Sequence, residues 1–173
     1  IWTETQHTGT KNSGMVDAID EGFELGNTAG VSSMHFNDIR HYSPTASVII
    51  LVVRAVDIAL HHMKDGFQNV GPTDIGTEQV SYEIIDSLTT FNLSTGDATT
   101  ESRTATSISE DANFHSVKIE CGSANIKHTL DGVLEVTKTT NRPTVKMQPK
   151  IRSADQGSGG INQRVRYLEA YNT

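Results

Sequence analysis

The sequence predicts a mainly β fold, an antiparallel β-barrel or sandwich with one short helix starting near Ser43. Composition is the first observation: hydrophobic residues make up 35% of the chain and aromatic residues 6%, which is low for a helical globule. Abundant Ser and Thr together with frequent Val and Ile are typical of half-exposed strands. The second observation is that several stretches alternate apolar and polar residues with a period of two. At 173 residues, the chain is long enough for about one domain.

Two stretches show the alternation most clearly. Val80, Tyr82 and Ile84 point one way along the chain while the residues between them are polar, and residues 115–121 repeat the pattern. Successive side chains of a strand point to opposite faces, so each stretch predicts a strand, and for residues 115–121 we expect one buried and one wet face. Residues 94–111, rich in Ser, Thr and acidic side chains, predict a long polar turn or an exposed ribbon.

A hairpin is predicted at Asp131-Gly132. A two-residue type I′ loop requires positive φ at both positions, and this dipeptide adopts it at low cost. The loop would place His128 opposite Glu135. We interpret that pair as a cross-strand contact that stabilises the sheet by roughly 0.2 to 1 kcal/mol, rather than as catalytic machinery.

The single predicted helix begins at Ser43-Pro44, because a serine hydroxyl can cap the first turn and proline costs nothing there. We expect the helix to run through Arg54. Residues 55–63 fit both a helical and a strand period, and their β-branched side chains favour a strand.

Charge divides the chain into two unequal parts. Residues 138–173 hold seven basic and two acidic side chains, a net charge of +5, and the other 7 basic and 19 acidic residues give −12. We therefore predict a flexible N-terminal arm or short strand over residues 1–30 and a single β-rich domain over residues 31–173. The basic strands of that domain start near residue 138. Opposite poles favour association of the chain with copies of itself.

The basic side chains of two predicted C-terminal strands lie on the face away from the core. Pro149 cannot donate a hydrogen bond to a ladder, so the first of these strands is expected at a sheet edge. If the two strands are neighbours, their cations form one stripe that contacts an acidic neighbouring subunit. The predicted interface residues are Lys146, Lys150, Arg152, Arg164 and Arg166.

Motifs for catalysis and metal binding are missing. The sequence has no G-x-S-x-G elbow, P-loop, dinucleotide fingerprint, H-E-x-x-H helix or paired C-x-x-C, so no catalytic residue, no cofactor and no enzyme activity are predicted. The seven histidines show no ligand spacing, and no metal site is predicted. The longest apolar run, residues 46–53, is far shorter than the roughly 20 residues that a membrane-spanning helix needs.

The order of features in the middle of the chain resembles the haemolysin-coregulated protein family, the tube subunits of type VI secretion, which are similar to phage tail-tube proteins. The similar segments are VSYEIIDSLTTFNLSTGD at 80–97 and SISEDANFHSVKIE at 107–120, with Ser43-Pro44 in the place of the family's short helix. The resemblance implies a closed antiparallel barrel with one helix at its side. It also implies hexameric rings that stack into a tube, with copies of the chain as partners.

Two other functions remain open from the sequence. One is a viral coat or extracellular filament subunit, and nucleic acid enters as a partner only for a viral coat or tail. The other is a secreted ligand-binding or carbohydrate-binding β-module that uses the polar loops at 94–101 and 155–160. All of these predict a secreted or extracellular assembly or a virion as the location, with no membrane partner.

Overall fold

The computed structural model describes residues 3–11, 14–15, 23–35, 40–56, 61–69, 78–85, 89–155 and 160–173. These residues form thirteen strands. In chain order they are β1 Thr3–Lys11, β2 Gly14–Met15, β3 Phe23–His35, β4 Ser47–Ala55, β5 His61–Gln68, β6 Glu78–Ile85, β7 Thr90–Asp97, β8 Glu101–Ser109, β9 His115–Cys121, β10 Ile126–Leu130, β11 Val133–Lys138, β12 Gln148–Asp155 and β13 Gly160–Asn172.

All strand pairs are antiparallel, and the hydrogen-bonded order is β11-β10-β9-β4-β13-β3-β12-β5-β6-β7-β8, with β1 and β2 paired to β3. The strands lie in two layers, so the described part of the chain is a β-sandwich and not a closed barrel. The sandwich is one of the two architectures that the sequence predicted. The layers meet through aromatic side chains. The Phe91 ring of β7 lies 4.5 Å from the His115 ring of β9, and Tyr82 of β6 lies 5.9 Å from His128 of β10.

The core between the layers is built from alternating side chains of facing strands. On β4, Ile49, Leu51 and Val53 are fully buried, and on β6 Val80 and Tyr82 face them from the other layer. Strands β6 and β9 occupy the two segments in which the alternation was clearest, so both strands are confirmed. The second face of β9 is partly exposed as predicted, whereas that of β6 is buried. Within the described residues no helix is long and apolar enough to span a membrane.

The predicted helix at Ser43 is wrong for the described residues. Ser43 and Thr45 lie in a turn, in which the Thr45 N–H donates to Ser43 Oγ at 3.2 Å, and β4 follows directly. The serine hydroxyl therefore caps a turn rather than a helix. Strand β4 pairs with both β9 and β13, and this two-sided pairing suits its run of β-branched residues better than a helix would.

The Asp131-Gly132 hairpin is confirmed, with φ of 50° and 83° at the two positions. The predicted pairing of His128 with Glu135 is wrong, because a bulge after His128 shifts the register and places it opposite Val136. Strand register beyond a bulge cannot be counted from the turn.

The prediction that Pro149 marks an edge strand is also wrong, since β12 lies between β3 and β5. The ladder between β12 and β3 begins only at Lys150, so Pro149, which has no N–H, lies outside that ladder. The predicted division of the chain after residue 30 stays a prediction, and β3 runs through that position.

Candidate functional site

The sheet formed by β12, β5, β6, β7 and β8 carries polar side chains on the face turned away from the core. We call this side the polar face. Strand registers arrange it in three rows that cross the strands. The glutamine row contains Gln148, Gln68 and Gln79, and the charged row contains Arg152, Lys64, Glu83 and Asn92. Between them, the small row contains Gly66, Ser81 and Ser94, and Lys150 of β12 lies at its end.

Alternation along each strand produces this arrangement. On β5, Met63 and Phe67 point into the core, while Lys64 and Gln68 point to the polar face. The sequence signal is the same two-residue period that predicted the strands. What the period does not reveal is that the polar side is buried as well, since Lys64, Gln68 and Glu83 are all inaccessible to solvent.

Two ion pairs neutralise Glu83. The Lys64 ammonium lies 2.7 Å from Glu83 Oε1, and Arg103 Nε lies 2.7 Å from Glu83 Oε2. A buried carboxylate requires such pairing, because the cost of removing its charge from water is several kcal/mol.

Glu101 of β8 joins the same network through one oxygen. Its Oε1 accepts hydrogen bonds from Lys64 Nζ at 2.6 Å, Gln79 Nε2 at 2.7 Å and Ser94 Oγ at 2.6 Å. The Arg103 guanidinium lies 3.1 Å from the same atom. The carboxylate thus connects the glutamine, small and charged rows.

The two carboxyl groups of this network have lowered pKa values. Burial alone would raise the pKa of Glu83, but His62, whose Nε2 is 3.8 Å away, and the charges of Lys64 and Arg103 lower it to about 2. Burial would also raise the pKa of Glu101, but the hydrogen bonds from Lys64 and Ser94 outweigh that effect and lower the pKa. Both groups are therefore ionised at neutral pH.

Several buried polar atoms of this face have no hydrogen-bond partner. They are both side-chain amide atoms of Gln68, Oε1 of Gln79, Oγ of Ser81 and Nη1 of Arg152. A buried polar group without a partner costs about 1–3 kcal/mol, so folded proteins satisfy most of them. A cluster of such atoms on one face calls for a partner that the described residues do not supply.

The polar face opens at its β8 edge. The side chains of Arg103 and Glu101 are 40% and 31% exposed, whereas those of Lys64 and Glu83 next to them are at 0%. A ligand would therefore meet Arg103 and Glu101 first and the glutamine and small rows beyond them.

The predicted interface residues do not form one basic stripe, because β3 lies between β12 and β13. Lys150 is opposite His35 on β3, and Arg164 is opposite Glu24. His35 and Glu24 are eleven positions apart on β3, so Lys150 and Arg164 are separated by roughly 35 Å along the strand.

Each of these side chains has different surroundings. Lys150 and Arg152 are buried, and Lys146 is exposed. Arg164 Nε lies 2.9 Å from Glu24 Oε2, and the Arg166 guanidinium lies 3.9 Å from the centre of the Phe114 ring. Whether any of them contacts a second copy of the chain stays a prediction.

His128, which the sequence placed opposite Glu135, lies in the core between the layers. Burial lowers the pKa of His128 to about 4, and its ring packs against Tyr82. Glu135 instead accepts hydrogen bonds from the backbone and hydroxyl of Ser107, at 2.8 and 2.7 Å. In the described part of the chain, no group of three or more His, Cys, Asp or Glu side chains is arranged to hold a metal ion.

The other layer carries a cavity of about 210 Å³ on its outer surface. Glu120, Asn125 and Lys127 contribute to its lining, and it lies beside the strand pair in which Tyr171 is opposite Val48. Tyr167 and Tyr171 are exposed on the same strand. This surface is separate from the polar face and provides a natural place for control substitutions.

Of the two loops predicted to bind a ligand, the first has residues on the polar face. Ser94 and Glu101, at the two ends of the predicted loop 94–101, both lie on the polar face, at the end of β7 and the start of β8. Residues 156–159 of the second loop lie outside the described residues. The glutamine row was missed, since its members come from three strands that are distant in sequence.

No protein-family model matches the chain, and no curated protein matches it in sequence. Solved structures match in fold alone. The metal-free carbohydrate recognition domain of Emp46p is similar with a TM-score of 0.68 at 9% identity, over 98% of this chain and 87% of that one. A Bacillus licheniformis β-glucanase matches with a TM-score of 0.64 at 13% identity, over 98% and 92% of the two chains.

A third similar structure is a pseudo β-1,3-glucanase of Mycobacterium tuberculosis, with a TM-score of 0.67 at 12% identity, over 99% of this chain and 91% of that one. The chain also matches a sialidase, of which it spans only 15%. These structures are β-sandwiches whose names refer to carbohydrate, and not tube proteins. The prediction of a tail-tube or type VI secretion subunit is therefore wrong.

Proposed function

We propose that this chain is a carbohydrate-binding module whose saccharide lies on the polar face. The observation that carries the proposal is the Gln68 side-chain amide, which is fully buried with neither atom hydrogen-bonded. An amide presents donors on one side and an acceptor on the other, and adjacent sugar hydroxyls present the complementary groups. The β-sandwich shared with the Emp46p carbohydrate recognition domain supports the same function.

The small row would accommodate the sugar ring. Gly66 has no side chain, and Ser81 and Ser94 have short ones, so the middle of this row, between Lys150 of β12 and Arg103 of β8, has less side-chain bulk than the rows beside it. The Ser81 hydroxyl and Gln79 Oε1, both buried without a hydrogen-bond partner, would be available to sugar hydroxyls here.

The proposed function is binding without hydrolysis. Glycosidases commonly need one carboxylic acid that stays protonated near neutral pH beside a second, ionised carboxylate. Glu83 and Glu101, the carboxylates described on this face, both have lowered pKa values and are held by Lys64 and Arg103. Asp65 has a pKa of about 8, but it points to the core side of the sheet. A secreted or extracellular location is part of this proposal.

The experiment is a glycan array probed with the labelled protein and three variants. Gln68→Leu keeps the approximate volume and removes the unpartnered amide, so we expect at least a tenfold loss of affinity for the saccharides that bind. Asn125→Ala alters the cavity of the other layer, and Tyr171→Ala removes an exposed ring from the same layer, so both should leave binding within about twofold. Loss of binding in Tyr171→Ala with an unaffected Gln68→Leu would move the site to the other layer and refute the proposal, as would an array without any hit.

A further inference from the structure

Arg152 is the cation of the charged row that the carboxylates of the polar face do not neutralise. Register places it opposite Lys64, between the Lys150–Gly66 and Ser153–Met63 pairs. Its side chain is 8% exposed, and Nη1 is buried without a hydrogen-bond partner. An unpaired guanidinium donor below the surface is costly, and it is an unusual feature of a folded protein.

The carboxylates nearby are already in use. Glu83 contacts Lys64 with one oxygen and Arg103 with the other, and Glu101 Oε1 contacts both of these cations. Two cations and two anions therefore balance. Arg152 is a further positive charge on the described part of the face, as is Lys150, which is buried on the same strand. Burial lowers the pKa of Arg152 and the charge of Glu83 opposes this, so the described anions offset only part of the hydration that the guanidinium has lost.

We infer that the saccharide bound on the polar face is acidic, with its carboxylate or sulfate group paired to the Arg152 guanidinium. This inference rests on the proposed function. A guanidinium matches the planar geometry of a carboxylate and binds sulfate oxygens equally well, and such charge-assisted hydrogen bonds are about twice as strong as neutral ones. The acid group would lie at the charged row, and the sugar hydroxyls would lie over the small and glutamine rows.

Matched polymers separate the charge from the sugar. Oligogalacturonate and its methyl ester share a backbone and differ in the carboxylate, and dextran sulfate and dextran differ in the sulfate. We expect the wild-type protein to bind at least one acidic polymer tenfold or more tightly than its neutral partner, by isothermal titration calorimetry at constant ionic strength. Which pair shows the difference identifies the acid.

The variants test the residue. Arg152→Gln should reduce the affinity for the acidic polymer at least tenfold and leave the neutral partner within twofold, while Arg152→Lys should recover part of the loss. Lys127→Gln removes a cation from an exposed site on β10 and serves as the control. Thermal unfolding of each variant shows whether it is folded at the temperature of the titration.

Three outcomes overturn the inference. If the acidic and neutral polymers bind equally well, the inference is wrong while the proposed function stands. The same holds if Arg152→Gln weakens the binding of both polymers equally. Absence of binding to these polymers and to every saccharide of the array overturns the inference together with the proposed function.

Discussion

The Lys64 ammonium and the Glu83 carboxylate lie 2.7 Å apart on neighbouring strands, and both side chains are fully buried. Neither could remain charged there alone, because the desolvation of one ion costs several kcal/mol. The pair links β5 to β6 across the polar face, and Arg103 and Glu101 extend it to β8. The charged groups that shape the proposed site therefore also determine whether the sheet is stable.

Glu83→Gln should destabilise the protein by about 3 kcal/mol at pH 7, measured by urea unfolding. The substitution leaves Arg103 unpaired at this oxygen and Lys64 with Glu101 as its remaining carboxylate, and loss of one partner of a buried pair typically costs about 3–5 kcal/mol. Glu120→Gln is the control, since its pair with Lys118 is exposed and should contribute less than about 1 kcal/mol. Equal losses would contradict the account.

The contribution of Glu83 to the stability of the fold should depend on pH, and the same variant tests this. The pKa of Glu83 is about 2 in the folded protein, below its ordinary value of 4.5, so its ionised form stabilises the fold above pH 4.5. This contribution is lost as the pH falls through the window between 4.5 and 2. The stability difference between wild type and Glu83→Gln should therefore shrink across that window, and a difference that stays constant would contradict the lowered pKa.

Asp65→Asn should remove a decline of stability at rising pH. Burial raises the pKa of Asp65 from 3.8 to about 8, against the Arg152 N–H, which donates to Oδ1 at 3.1 Å. Between those values the unfolded chain releases a proton that the folded protein keeps, so stability falls with pH by about 1.4 kcal/mol per unit. An asparagine accepts the same hydrogen bond without ionising. Asp97→Asn, which is exposed with a lowered pKa, should leave the slope between pH 4 and 8 unchanged.

Gly66→Ala should cost at least about 3 kcal/mol. A Cβ at this position would overlap the carbonyl oxygen of Val80 and lie 2.8 Å from the Cα of Ser81, and backbone atoms cannot rotate away. Gly132→Ala provides the comparison, because a Cβ there meets nothing within 4 Å, although φ is +83°. That variant should cost about 1 kcal/mol, the strain of a left-handed backbone. If Gly66→Ala cost less stability than Gly132→Ala, β5 and β6 would have to be farther apart than the structure shows.

Gln68→Leu should raise the stability of the unliganded protein by about 1 kcal/mol or more, measured by chemical unfolding. The leucine removes two buried polar atoms that have no partner, and their desolvation costs about 1–3 kcal/mol. A residue that is kept at the expense of stability is expected at a binding site. A clear loss of stability would show that the amide is satisfied within the fold, and would remove the main support for the polar face as a site.

The elements that the sequence predicted correctly are those whose signal is local. Strands β6 and β9 follow from alternation, and the Asp131-Gly132 hairpin follows from the positive φ that its turn needs. The helix at Ser43 was wrong because a capping signal is weaker than the pairing of β4 with strands on both sides. His128 was paired wrongly because a bulge leaves no mark in the sequence.

The polar face could be predicted only in fragments. The alternation of Ser81 and Glu83 with apolar neighbours was correctly interpreted as the second face of a strand, yet an ordinary wet surface has the same pattern. Gln68, Gln79 and Gln148 belong to strands whose order in the sheet depends on long-range pairing. The excess of basic residues near the C-terminus led to the prediction of one basic stripe, but β3 separates β12 from β13, the two strands that carry these residues.

The most direct test of the polar face as a binding site is a nuclear magnetic resonance titration of the labelled protein with a saccharide identified on the array. We predict that the side-chain amide signals of Gln68 and Gln79 shift during the titration, while the backbone signals of Tyr167 and Tyr171 stay in place. Shifts confined to Tyr167, Tyr171 and the cavity beside them, with unmoved glutamine amides, would contradict the account.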